Sequence, residues 1–123
     1  MAPGWSRSVV EGVEVHRCGV RYANQMSYRR RLKAFAEFGW KTARKMVALE
    51  ADVVYAVSPP LTTVLPAAYA ARRQKIPMVF EVCDHWPDTA IAVGALKSRW
   101  TIAAARRLEQ FAYRNAAHVV TTS

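Results

Sequence analysis

Five consecutive residues, Asp84-His85-Trp86-Pro87-Asp88, bring two carboxylates, an imidazole and an indole into one short stretch. The run before them, Met78-Val79-Phe80-Glu81-Val82, is apolar at four of five positions and predicts a buried strand. In an open parallel sheet, ligands bind in the loops beyond the carboxyl ends of the strands. There Asp84 and His85 could serve as acid–base or hydrogen-bonding groups, and Trp86 as a platform for a sugar or lipid. The same residues also admit a packing role, with Trp86 and Pro87 closing the top of the sheet and Asp88 capping the next turn. The residues alone do not separate the two. Glu81 sits inside the strand, on the pleat face opposite Phe80 and Val82. It is either a solvated carboxylate or the partner of a buried base.

A second stretch, Ser58-Pro59-Pro60-Leu61-Thr62-Thr63, follows the β-branched and aromatic run Asp52-Val53-Val54-Tyr55-Ala56-Val57. That run predicts a strand covered on both faces, and the two prolines end it. The free N–H groups of the helix that follows could hold an anion, which makes Ser58 and Thr62 candidate substrate contacts. Simple capping by Thr62 is the other reading. Both loops are expected at the same end of the sheet.

The elements that must position these loops alternate. A strand is expected around Val13-Glu14-Val15-His16, after the turn residue Gly12 and an irregular start over Met1–Ser8. Ser27 predicts the cap of a helix reaching about Ala48, and Thr62 or Thr63 the start of an alanine-rich helix ending at Gln74. The second strand run follows, then a long loop over Cys83–Lys97 with a helical turn near Thr89–Val93. Ser98 predicts the cap of a helix over Arg99 to about Asn115, with Trp100, Ala104, Leu108, Phe111 and Ala112 as its apolar stripe. His118–Thr121 predicts a last strand. Such alternation implies an α/β fold: a Rossmann-like parallel sheet of about four strands, helices on both faces, joined by right-handed crossovers.

The chain has 123 residues, 52% of them hydrophobic and 22% charged, which suits one folded domain. No apolar stretch approaches the roughly 18 residues of a membrane span, and the N-terminus has no signal-peptide pattern. Cys18 and Cys83 stand far apart and fit a reducing cytosol. His16, His85 and His118 have no metal-ligand spacing, so no metal site is expected. There is no GxGxxG or Walker lysine and no GxSxG elbow.

The net charge of +9 favours anionic partners. Its densest source is the helix from Ser27 to Ala48, where Tyr28, Leu32, Phe35, Ala36, Gly39, Ala43, Met46 and Val47 form one broad apolar face. Arg30, Lys33, Glu37, Lys41, Arg44 and Lys45 share the opposite face, with Phe38 and Trp40 at its edges. A solvated face is the default for a charge run. One-signed charge beside Trp40 also suits an anionic bilayer surface, so Arg30, Lys33, Trp40, Lys41, Arg44 and Lys45 are candidate membrane-surface residues. Nucleic acid is disfavoured, because the aromatics are not interleaved with the basic residues.

The stretch Phe80-Glu81-Val82-Cys83-Asp84-His85-Trp86-Pro87 resembles the FEVRDLWP segment of bacterial family 4 glycosyltransferases of the GT-B type. Further resemblances follow the family's order. Gly12–Arg17 is similar to its GVEVHR strand, Asp52–Thr62 to its DVVFATSPPLT segment, and Ala92–Lys97 to the stretch after its tryptophan loop. Leu108–Ala116 is similar to its LERFAYRRA helix, before a final VVxxS strand. The resemblance implies the N-terminal, acceptor-side lobe of a retaining transferase. Such enzymes take a nucleotide-sugar donor as substrate, need no cofactor or essential metal, and often build on a membrane-bound polyprenyl-phosphate or glycan acceptor. It places Asp84 at the interlobe cleft, with His85 where the family more often has an aliphatic residue and Cys83 where it often has arginine. It further implies that residues 1–123 form a single incomplete domain lacking the family's first strand, glycine-rich loop and C-terminal lobe. That lobe could reside on another chain. The expected location is cytoplasmic, peripheral to the inner membrane, and the chain alone is expected to be inactive. The alternatives are a non-catalytic basic α/β module for a nucleic-acid or protein partner, and the remnant of a truncated gene.

Overall fold

A computed structural model describes residues 4–23 and 25–122. The chain divides into two compact units, 1–42 and 43–123. The boundary lies within a continuous helix, α1 (Tyr28–Ala48).

The first unit opens with a hairpin. β1 (Gly4–Val10) pairs antiparallel with β2 (Val13–Gly19), from Gly4 opposite Gly19 to Val10 opposite Val13. Glu11 and Gly12 make the turn at φ 50° and 83°. Positive φ at both central residues is the primed turn whose twist matches that of the strands. Cross-strand polar contacts add to the ladder: Arg7 pairs with Glu14 (Nε–Oε1 2.7 Å), and Arg17 Nη1 donates to Ser8 Oγ at 2.6 Å. The irregular start expected over Met1–Ser8 is therefore corrected from Gly4 onward, and residues 1–3 lie outside the described set. The strand at Val13 is also corrected: it belongs to this hairpin and adds nothing to the parallel sheet.

The second unit holds a three-stranded parallel sheet in the order β3 (Val54–Ser58), β4 (Met78–Val82), β5 (His118–Thr121). Val54 stands opposite Met78, and Phe80 opposite both Ala56 and Val119. A short 3-10 turn (Leu61–Thr63) leads into α2 (Val64–Gln74), and α3 (Asp88–Ala92) and α4 (Arg99–Asn115) follow β4. The class is thus α/β and Rossmann-like, with three strands in place of about four.

The pleat decides where the core sits. Val54, Ala56, Ser58, Met78, Phe80 and Val82 point to one face and are buried. Against them α2 presents Val64, Ala67, Ala68 and Ala71, and α4 presents Ala112, with Leu108 and Phe111 partly buried. Small side chains let α2 lie close to the sheet, which is how an alanine-rich helix can fill a dense core. At its end Lys75 takes the left-handed conformation at φ 57°, and Ile76 N–H closes back onto Ala71 O at 3.0 Å. Gln74 Nε2 donates to Met46 O at 2.7 Å and ties the end of α1 to α2.

The other face of β3 is open: Tyr55 is 54% exposed and Val57 42%. The double-sided covering expected from that run does not hold there, because α2 and α4 both contact the face that bears Phe80.

The expected helix stripes hold in part. On α4 the expected stripe holds at its C-terminal half, where Ala112 is buried and Leu108 and Phe111 pack on the core. It fails at its start, where Trp100 is 74% exposed and Ala104 is exposed while Ala105 is buried. On α1 the expected face holds toward the C-terminal end, where Ala43 is buried and Met46 packs on the core, but Tyr28, Leu32, Phe35 and Ala36 are exposed and Ala34 is buried in their place.

Truncating the central side chain tests this packing. Phe80→Ala should lower the unfolding free energy by about 3–5 kcal/mol, while Trp100→Ala should change it by less than about 0.5 kcal/mol. Urea denaturation followed by circular dichroism measures both. Comparable losses would show that the start of α4 packs inward through Trp100.

Candidate functional site

The parallel register places two loops side by side. Ser58 ends β3 opposite Val82, and Cys83 N–H continues the ladder to Ser58 O at 3.2 Å. The Pro59–Thr63 turn and the Cys83–Pro87 loop therefore leave from the same carboxyl edge of the sheet.

Within the second loop the two sequence readings divide by residue. Pro87 is fully buried and Trp86 packs half-buried on the core, so these two close the end of the sheet. Asp84 and His85 remain exposed. Their backbone is fixed locally: Trp86 N–H donates to Asp84 O at 2.8 Å, and Thr89 N–H to His85 O at 2.8 Å. The Thr89 hydroxyl lies 2.9 Å from Asp84 Oδ1 and 3.0 Å from His85 O. Asp84 is thus a positioned carboxylate that can still accept hydrogen bonds from a ligand's hydroxyl groups. Asp88 makes no capping bond and pairs with Arg106 on α4 (Oδ1–Nη2 3.0 Å).

In the first loop, Ser58 is buried, and its carbonyl accepts from Cys83 N–H in the ladder. Thr62 is exposed, but it lies in the 3-10 turn and does not cap α2. Thr63 takes the structural role, its hydroxyl lying 2.9 Å from both Val57 O and Pro60 O.

Glu81 is half-buried on the open face of the sheet. Tyr55 Oη donates to its Oε2 at 2.8 Å, and Cys83 Sγ lies 3.5 Å from its Oε1. Hydrogen bonding to the Glu81 carboxylate raises the Tyr55 pKa above its ordinary value, with desolvation adding to it. Desolvation, then the hydrogen bond to Glu81 and its charge, raise that of the Cys83 thiol. Sequence reasoning placed Glu81 correctly on its pleat face but missed Tyr55 as its partner. The signal was available: in the parallel register, Tyr55 sits one pleat from Val57, the residue opposite Glu81.

On α1, Arg30, Lys33 and Arg44 are exposed and Trp40 is 63% exposed. Lys45 is half-buried, as is Lys41, which is bonded to Glu37. That bond raises the Lys41 pKa and lowers the Glu37 pKa, so one charge of the stripe is locally compensated. Among the described residues, no helix is long and apolar enough to cross a membrane. Also among these, no group of three His, Cys, Asp or Glu side chains is placed to hold a metal ion.

A parallel sheet with helices packed on it makes this an α/β, Rossmann-like fold. The family model for the glycosyl transferase 4-like domain matches residues 1–123, and the chain belongs to that family. No curated protein and no solved structure matches it.

The Glu81 contact makes a testable difference. In a Cys18→Ser background, Cys83 should alkylate more slowly at mildly alkaline pH than an ordinary thiol, because its raised pKa leaves less thiolate. Glu81→Gln should shift the pH midpoint of alkylation downward. Mass-spectrometric rates against pH measure this, and an unchanged midpoint would show that Glu81 does not govern the thiol.

Proposed function

We propose that this chain supplies the acceptor side of a glycosyl transfer, in which a nucleotide-sugar donor gives its sugar to a lipid-linked or polysaccharide acceptor. The observation that carries this reading is the exposed pair Asp84 and His85, positioned at the carboxyl edge of a parallel sheet in a glycosyl transferase 4-like chain. In this reading Asp84 accepts a hydrogen bond from the acceptor hydroxyl and serves as its candidate base. His85 and Thr62 border the acceptor from the two loops. Trp86 and Ser58 act from beneath by holding the loops, and Glu81 lies one pleat away on the open face.

The basic face of α1 supports a peripheral location at the cytoplasmic surface of the membrane, where a lipid-linked acceptor would be presented. Arg30, Lys33, Lys41, Arg44 and Lys45 would meet anionic headgroups and Trp40 the interface. Polysaccharide or glycan assembly is the process this fits. The donor is assigned to a C-terminal lobe of the family type, in this polypeptide or another, so residues 1–123 alone do not complete the reaction.

Two experiments test the reading. Residues 1–123 should sediment with anionic liposomes and release as salt rises. Replacing Arg30, Lys33, Lys41, Arg44 and Lys45 by Gln should weaken binding by about a thousandfold or more, at about 1 kcal/mol per charge. Equal binding to neutral liposomes would overturn the membrane assignment. In the second, residues 1–123 incubated with labelled nucleotide sugars and lipid-linked acceptor should incorporate no label, and incorporation would overturn the assignment to the acceptor side alone.

A further inference from the structure

Away from the loop edge, α2 and α4 enclose a groove of about 520 Å³ lined by Arg72, Arg107, Gln110, Phe111, Arg114 and Asn115. Arg107, Gln110, Phe111 and Arg114 stand at i, i+3, i+4 and i+7 of α4, so one helical stripe supplies most of the wall. Arg72 comes from the last turn of α2, its guanidinium 5.9 Å from the centre of the Phe111 ring. Phe111 is half-buried against the core, and Asn115 Nδ2 donates to Phe111 O at 2.8 Å. The floor of the groove is therefore anchored while its cations are exposed.

No carboxylate lines this groove, and among the described residues none of its three arginines forms an ion pair. Their neighbour Arg106 shows the contrast, being paired with Asp88. Favourable interaction with the negative ends of the helices accounts for Arg72 and Arg114, which lie in last turns. It does not account for Arg107, two turns earlier. Three guanidiniums outside any of the ion pairs line one concavity, and the guanidinium's fork of donors suits phosphate oxygens. The volume exceeds a single phosphate and lies within the range of small-molecule sites.

We propose that this groove binds a diphosphate group, with Arg107 and Arg114 gripping its oxygens and Arg72 held over Phe111 to complete the clamp. The site is separate from the Asp84 loop and does not rest on the glycosyl-transfer reading. The diphosphate can come free in solution or as the headgroup of a lipid.

The test titrates residues 1–123 with inorganic pyrophosphate by calorimetry, and in a second arm with neutral vesicles carrying a lipid diphosphate. Saturable binding is expected in at least one arm. Arg107→Gln with Arg114→Gln should weaken it by about a hundredfold, roughly tenfold for each charged contact. Arg72→Gln should weaken it by about tenfold, giving an independent readout from the other helix. Arg99→Gln, at the far end of α4, should leave it unchanged. Binding of pyrophosphate identifies the free ligand, and binding of the vesicles alone identifies the headgroup. Binding in neither arm, binding that survives the double substitution, or an equal loss with Arg99→Gln would overturn the proposal.

Discussion

Everything in the second unit depends on the seating of one pleat face of β4 beneath two helices. Met78, Phe80 and Val82 are buried between the flanking strands and the small side chains of α2 and α4. Burying a side chain the size of phenylalanine contributes about 1.5–3 kcal/mol, a large share of the marginal stability of a domain this small. An alanine face on α2 is what allows that approach, because a bulkier helix would stand off and leave the aromatic ring partly wet.

The positions of the polar groups follow from the same constraint. With Phe80 and Val82 turned inward, Glu81 must turn outward, where Tyr55 is within reach of its carboxylate. The end of the core needs closing as well, and Trp86 and Pro87 do this from the loop after β4. Their packing anchors the loop at its far side, while Cys83 is held to Ser58 by the ladder. Asp84 and His85 are the residues left at the surface between those two anchors. A packing role and a ligand role are thus not competitors in this loop, since the buried half fixes the exposed half.

Much of this was legible in the sequence, and the misses share a cause. β4, β5 and α4 were readable because apolar runs, proline breaks and a serine boundary coincide at their ends. The hairpin was not. Trp5, Arg7 and Val9 alternate with serines and Val10, a weak pattern without a buried partner, and Glu11-Gly12 is a less familiar turn pair than Asn-Gly. Helical periodicity identified a stripe on α4 but could not say how far along the helix it meets the sheet: Leu108, Phe111 and Ala112 pack on the core, with Trp100 outside. The open side of β3 had the same origin, because a continuous β-branched run fits a strand covered on both faces as well as one whose second face is bare. The groove between α2 and α4 escaped notice because Arg72 and Arg107 are far apart in sequence and meet only through the fold.

The central claim is that the carboxyl edge of the sheet receives the acceptor. Amide chemical shifts of residues 1–123, recorded while a lipid-linked saccharide acceptor in neutral micelles is titrated in, test it most directly. Shifts concentrated at Thr62, Asp84, His85 and Thr89 are the predicted result. Saturable binding whose shifts fall elsewhere, leaving those four amides unmoved, would contradict it.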